Sequence, residues 1–453
     1  MRPSWYNRGM DRPTTSAAPA GEGHFRRVLT PLHLWGIAVG LVISGDYFGW
    51  NYGVQKGGAL GMLAATLLMS VLYVCFIFSY TELATAMPRS GGPSTYAGRA
   101  FGRWGAVAAG YAVLVEFLLA PPAIARAVGS YVHFRAPSLP VDAVAVGALL
   151  LFAGLNALGT TLAATFELVV TLAATLELGI YFGLAGPHVS LARFTAAPTL
   201  PHGLTGVLAA VPFAIWFFLG IEGVAMSAEE TRDPQRDIPR GYVAGVLTLV
   251  VLAVGTLVCS AGVLSPTELV EDDSPLPRVL ARVLSREHPM THLMVYLGLF
   301  GLIASLHGII MGATRQVFAL ARDGLLPASL GHLHPRLRAP SRAVVVPWLV
   351  GTLAVFSRRT DDLITASVLG AVVVYLISMA SLFRLRRTDA AMERPFLAPG
   401  YPWVPGVAVA LSVIALLAVA ASAPRVTAGF ALGAVILAAA QAIRSRKRRG
   451  EQS

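Results

Sequence analysis

Charge is scarce in this chain. Asp, Glu, Lys and Arg make up 13% of its 453 residues, about half the ~25% usual for a soluble domain. Lysine is nearly missing, at Lys56 and Lys447 only, so arginine carries most of the net charge of +11. The two cysteines, Cys75 and Cys259, lie inside apolar runs, which excludes a disulfide scaffold. There is no His/Cys cluster at metal-ligand spacing, no glycine-rich phosphate loop and no nucleophile motif. Neither an enzyme nor a metal or cofactor is therefore expected. Alternation of apolar and polar residues is also lacking in the long apolar runs, which argues against a transmembrane barrel.

Apolar residues are what the chain has, at 55%. In water they would leave large exposed patches. In a bilayer, at ~20 residues per helical span, they furnish about twelve spans. The expected fold class is an all-α polytopic membrane protein. We place the spans at about 33–57, 61–87, 104–131, 141–158, 161–184, 204–229, 241–264, 291–320, 343–357, 362–384, 403–421 and 426–443. The fourth and fifth nearly touch at Gly159. Residues 1–30 are polar, and no cleavable signal peptide is expected.

The basic residues orient this map. Five lie before the first span, three at 89–103, three at 232–240, five at 315–342, four at 384–394 and five at 444–449. Alternate segments thus hold most of the 35, which fits cytoplasmic N- and C-termini and an even number of spans. The outer loop at 265–290 is different. Glu268, Glu271, Asp272 and Asp273 precede an amphipathic stretch, Leu276–Glu287. Leu276, Val279, Leu280, Val283 and Leu284 fall on one side of it. It is either a surface helix over the outer mouth or a linker helix packed on the bundle.

Ionisable groups at membrane depth are costly and mark function. Asp46, Glu116, Glu167, Glu177, Glu222, Arg126 and His307 fall within spans. Span 1 contains Ser44-Gly45-Asp46-Tyr47-Phe48-Gly49-Trp50-Asn51. Two glycines, an Asp and an Asn make a poor helix, so the backbone is expected to unwind, as membrane-depth backbone does only where it lines a cavity. Span 6 has a matching weak point, Gly220-Ile221-Glu222-Gly223. Phe213, Trp216, Phe217 and Gly220 precede it at i, i+3, i+4 and i+7, on one helical face. Such a stripe is ordinarily helix packing. Two interrupted helices at corresponding places of two halves point instead to a midplane binding site.

These features resemble the amino acid–polyamine–organocation superfamily of transporters. Three further segments match in order: Ala228-Glu229-Glu230-Thr231-Arg232-Asp233-Pro234 with Arg236-Asp237-Ile238-Pro239, Ala321-Arg322-Asp323-Gly324-Leu325-Leu326-Pro327, and Arg394-Pro395-Phe396 with Pro399-Gly400-Tyr401-Pro402-Trp403. The resemblance implies a LeuT-like fold, with a 5+5 inverted repeat and broken helices 1 and 6. It divides the chain into a tail at 1–32, helices 1–5 at 33–184, helices 6–10 at 204–384, helices 11–12 at 403–443 and a basic tail at 444–453.

Amino acid carriers of this superfamily usually hold the substrate carboxylate on a Gly-Ser-Gly-type stretch of helix 1. Here the run is Gly45-Asp46-Tyr47-Phe48-Gly49. An acid there repels a carboxylate and suits a cation that lacks one. The run is similar to that of bacterial ethanolamine permeases, as are Glu116–Ala125, Ala164–Leu168 and Ser305–Ile310. The resemblance implies a secondary active permease of the inner membrane, taking up ethanolamine or a related small primary amine. Some members couple to protons through a Lys in helix 5; an ungapped reading puts Ala174 there. The expected substrate contacts are Ser44, Gly45, Asp46, Tyr47, Gly49, Glu116, Phe213, Trp216, Phe217, Gly220, Glu222 and His307, with Glu116, Glu177 and Glu222 as coupling candidates for a proton or sodium. His307 also fits a packing or hydrogen-bonding role, and Glu167 and Glu177 fit interhelical hydrogen bonds. Arg126 is expected to pair with Glu116 or Asp46. An amino acid permease or antiporter is the alternative. A nutrient sensor on the same fold is a third reading, set against by the lack of a soluble domain after the twelfth span.

Overall fold

The computed structural model describes residues 27–158, 160–195, 200–270 and 273–450. The basic tail before residue 27, the junction at Gly159 and the acids Glu271 and Asp272 lie outside the described residues, as do the side chains of 443–450. The helices are α1 (Pro31–Gly40), α2 (Ser44–Tyr47), α3 (Trp50–Ala86), α4 (Pro93–Phe101), α5 (Arg103–Arg135), α6 (Val141–Ala157), α7 (Thr160–Ala185) and α8 (Leu191–Phe194). They continue with α9 (Gly203–Trp216), α10 (Pro234–Val263), α11 (Pro275–Val283), α12 (Pro289–Arg322), α13 (Val345–Val355), α14 (Thr360–Thr388), α15 (Trp403–Ser422) and α16 (Pro424–Gly450). A 3-10 segment, Ile221–Glu230, follows α9. Proline opens α1, α4, α10, α11 and α12, at the position where its missing N–H is not needed.

Among the described residues, nine helical segments are long and apolar enough to cross a bilayer, and Val141–Ala157 and Val345–Val355 are shorter apolar helices. The chain is thus a polytopic all-helical membrane protein. The first expected span is not a helix of its own. It is assembled from α1, α2 and the first turns of α3, and α3 then runs on to Ala86. The gap anticipated between spans 1 and 2 is a single residue, Gly58, at φ 70° and ψ 176°. That region is open in practice only to glycine.

The amphipathic stretch in the loop at 265–290 packs on the bundle. Pro275, Leu276, Pro277, Val279 and Leu280 of α11 are buried against α7, α10 and α12. Just before it, Asp273 accepts from Tyr52 at 2.5 Å and from Thr360 at 3.3 Å, tying the loop to α3 and α14. At the opposite end, Glu229 pairs with Arg322 at 2.8 Å, Glu230 with Arg315 at 2.7 Å, Glu82 with Arg386 at 2.5 Å and Arg99 with Asp389 at 2.6 Å. The entry to α1 is fastened there too. Val28 and Leu29 N–H donate to the Glu230 carbonyl at 2.8 and 3.0 Å, and Arg232 N–H donates to the Leu29 carbonyl at 3.0 Å.

Candidate functional site

Two helix breaks meet at the centre of the bundle. In the first, α1 stops at Gly40, α2 is a single turn, and the chain extends through Phe48 before α3 starts at Trp50. In the second, α9 stops at Trp216, Phe217 to Gly220 turn, and Gly220 takes φ 95° before the 3-10 segment. The breaks touch backbone to backbone at Gly45. A Cβ there would lie 2.5 Å from the Trp216 carbonyl oxygen and 2.8 Å from the Phe217 Cα, closer than any side chain allows.

Aromatic rings surround this contact. Trp216 lies edge-on to Phe48, centroids 5.5 Å apart, with its indole against Gly49. Phe217 stacks on Trp50 at 6.3 Å. The expected stripe is split by the break, because Phe213 belongs to the regular part of α9 and packs on Tyr52 instead, at 5.8 Å. Phe48 and Trp50 are the residues that helical periodicity does not assign to the site. They join it because the chain between α2 and α3 is not helical. The Trp216 Nε1–H is buried and donates to nothing among the described residues.

Asp46 is fully buried, and neither of its carboxylate oxygens has a hydrogen-bond partner of sound geometry. Its side chain faces Thr256 of α10, whose hydroxyl is likewise unsatisfied. Arg126 does not neutralise it, contrary to expectation. Arg126 binds Asp142 at 2.6 Å and Thr360 at 3.2 Å. Asp142 also takes Arg358, at 2.8 Å. Asp142 is in the first turn of α6, and Arg126 lies nine residues before the end of α5.

Glu116 and Glu222 form a second acidic locus. Their carboxyl groups lie side by side between α5 and the 3-10 segment. Tyr375 donates to Glu222 at 3.5 Å and shares a 2.8 Å hydrogen bond with Tyr73. Both Glu116 oxygens and Glu222 Oε1 lack partners of sound geometry. Among the described residues, no ion pair reaches Asp46, Glu116 or Glu222.

The remaining expected contacts are engaged elsewhere. Tyr47 turns away from the aromatic cluster and donates to Glu177 and to the Ala174 carbonyl, with its ring against Gly301. His307 Nδ1 sits 2.7 Å from Glu167, both fully buried, beside Gly40. Ser44 offers its backbone, not its hydroxyl: its N–H donates to Ser305 Oγ at 2.8 Å, and Ser305 donates on to the Gly40 carbonyl at 2.7 Å. Ser305 is a bridging residue that no single-position signal would single out.

The amino acid permease family model matches residues 29–440, and so spans both breaks and every residue named here. The chain belongs to the amino acid permease family. An uncharacterized transporter of Rhizobium meliloti is 31% identical over 86% of each chain. The branched-chain amino acid permease BcaP of Bacillus subtilis is 24% identical over 88% of this permease and 90% of its own length. A methylthioribose transporter of the same organism is 22% identical over 86% and 88%. These relatives are transporters by name.

Proposed function

We propose that this permease takes up ethanolamine, or a closely related small primary amine, by alternating access. The observation that carries the reading is the Asp46 carboxylate: fully buried in the first break, facing Thr256 with no partner of sound geometry on either oxygen, and in no ion pair among the described residues. An unpaired buried carboxylate is costly, and a substrate ammonium compensates it. The Phe48, Trp50, Trp216 and Phe217 rings supply faces and edges suited to a small cation. The indole N–H of Trp216 is a donor for the substrate hydroxyl.

The same reading assigns coupling to the Glu116–Glu222 pair. Two carboxyl groups side by side in low dielectric do not both ionise, so the pair retains a proton whose release accompanies transport. Glu177 is already engaged by Tyr47, and sodium, the other coupling candidate, would need ligands those two carboxyls alone do not provide. The permease is placed in the inner membrane of a bacterium with both termini cytoplasmic, as the arginine distribution supports. A second reading, an amino acid permease, is favoured by the names of the relatives. Uptake of radiolabelled ethanolamine into proteoliposomes, competed with alanine and with choline, separates the two. No uptake of labelled ethanolamine by protein that takes up labelled alanine would overturn the amine.

A further inference from the structure

Below the Glu116–Glu222 pair, a row of buried phenols leads to the loop before α4. Tyr242 of α10 donates to the Glu222 carbonyl at 2.9 Å and accepts the Ala225 N–H at 2.9 Å. Tyr80 of α3 lies edge-on to Tyr242 at 6.1 Å and to Tyr96 of α4 at 5.5 Å. All three are fully buried. Tyr80 is within electrostatic reach of both glutamates, and its hydroxyl stops 3.5 Å from where a Cβ on Gly92 would lie. The Ser90 hydroxyl has no partner among the described residues, and the Tyr80 and Tyr96 hydroxyls face each other without a partner of sound geometry.

Packing alone does not explain these oxygens. Phenylalanine would fill the same volume, as Phe76 does one turn before Tyr80, and burying an unsatisfied hydroxyl is unfavourable. Such groups are normally satisfied by water. Of the acids at this end, Asp323 lies near Arg322, Arg89 and Glu229 with no ion pair among the described residues, and Glu82, Glu229, Glu230 and Asp389 are each held by an arginine.

We propose that Tyr80 and Tyr96 form a proton relay between the Glu116–Glu222 pair and the Ser90–Gly92 loop, at the end of the bundle expected to face the cytoplasm. The inference rests on the assignment of coupling to that pair. One proton leaves the carboxyl pair. Each phenol, with water between, accepts a proton at oxygen and passes on the one it held. Only O–H bonds exchange, the phenols are regenerated, and the proton is delivered to water at the loop.

The test is Tyr80→Phe, Tyr96→Phe and the double variant in proteoliposomes, with Tyr181→Phe as a control. Tyr181 is a buried phenol bonded to Ser260 at 2.7 Å, outside the row. Two rates are measured for each. One is ethanolamine uptake driven by an imposed pH gradient, with an entrapped pH dye following the proton. The other is counterflow of labelled against unlabelled ethanolamine without a gradient. Tyr80→Phe and Tyr96→Phe are expected to slow gradient-driven uptake and the dye signal at least tenfold while counterflow stays within twofold, with the control unchanged in both. Loss of both rates together, or of neither, overturns the relay. Wild-type uptake indifferent to the gradient overturns the coupling assignment and the relay with it. If wild-type protein carries an amino acid and not ethanolamine, the substrate reading alone fails, and the same two rates measured with that amino acid decide the relay.

Discussion

The hydroxyl of Ser305 bridges the gap between Gly40 and Ser44, donating to the carbonyl of the first at 2.7 Å and accepting the amide of the second at 2.8 Å. One side chain of α12 thereby satisfies both backbone groups that the end of α1 and the start of α2 leave open, as membrane-depth backbone requires. Ser305→Ala should strand both. Each buried unsatisfied group is unfavourable by about 1–3 kcal/mol, so the melting temperature in detergent should fall clearly and transport with it. An unchanged melting curve would mean that the bridge is replaced without loss.

Asp46→Asn removes a charge and keeps the shape. If the carboxylate meets the substrate ammonium, ethanolamine binding should weaken by about 30-fold or more, the ~2–5 kcal/mol of a truncated buried charge pair. Stability without ligand should hold or rise, because the variant no longer buries an unpaired charge. Isothermal titration and thermal unfolding on the same preparation decide it. A less stable variant with unaltered affinity would show that Asp46 serves the protein and not the substrate.

Trp216 is too deeply packed for a clean alanine test, since opening a cavity of that size is unfavourable by about 3–5 kcal/mol. Trp216→Phe keeps an aromatic ring on Gly49 and removes the unpartnered N–H. Ethanolamine affinity should fall about fivefold, the ~1 kcal/mol of one hydrogen bond, while ethylamine affinity, lacking the hydroxyl, should not move. Equal losses for the two amines would mark the indole as a wall only.

Glu230 and Arg315 are both buried and joined by two bonds of 2.7 Å. Glu230→Gln alone should destabilise by about 3–5 kcal/mol, and Glu230→Gln with Arg315→Met should recover much of that, because the penalty lies in the ion left behind. Melting temperatures of the single and double variants check the ordering; a double variant no better than the single would contradict it.

The helical segments, both breaks and the acids in them are legible in the sequence because each depends on composition within a turn or two: glycine, Asp and Asn inside an apolar run. The partners are not. Glu167 and His307 are 140 residues apart, Tyr47 and Glu177 130, and no local pattern encodes which helix faces which. Arg126 is instructive. Its partner is Asp142, 16 residues on across the α5–α6 turn and outside the acids within the apolar runs. Phe48 and Trp50 were hidden for a different reason, since helical periodicity mis-assigns every residue that follows an unwound stretch. Tyr80 and Tyr96 carry no signal in the sequence, and only the poorly satisfied hydroxyls they bury distinguish them from core aromatics.

The last two turns of the first membrane segment and the second segment share Gly58 as their joint. Two rods meeting at one residue behave as a bell crank. When residues 50–57 tilt, carrying Trp50 and the ring of Phe217 stacked on it, the motion either turns about Gly58 or swings the far arm, residues 59–86. That arm bears Tyr73 against Tyr375 and, near its other end, Glu82 on Arg386. A tilt at one end of α3 thus levers on the fastening at its other end, with no slack loop to absorb the stroke.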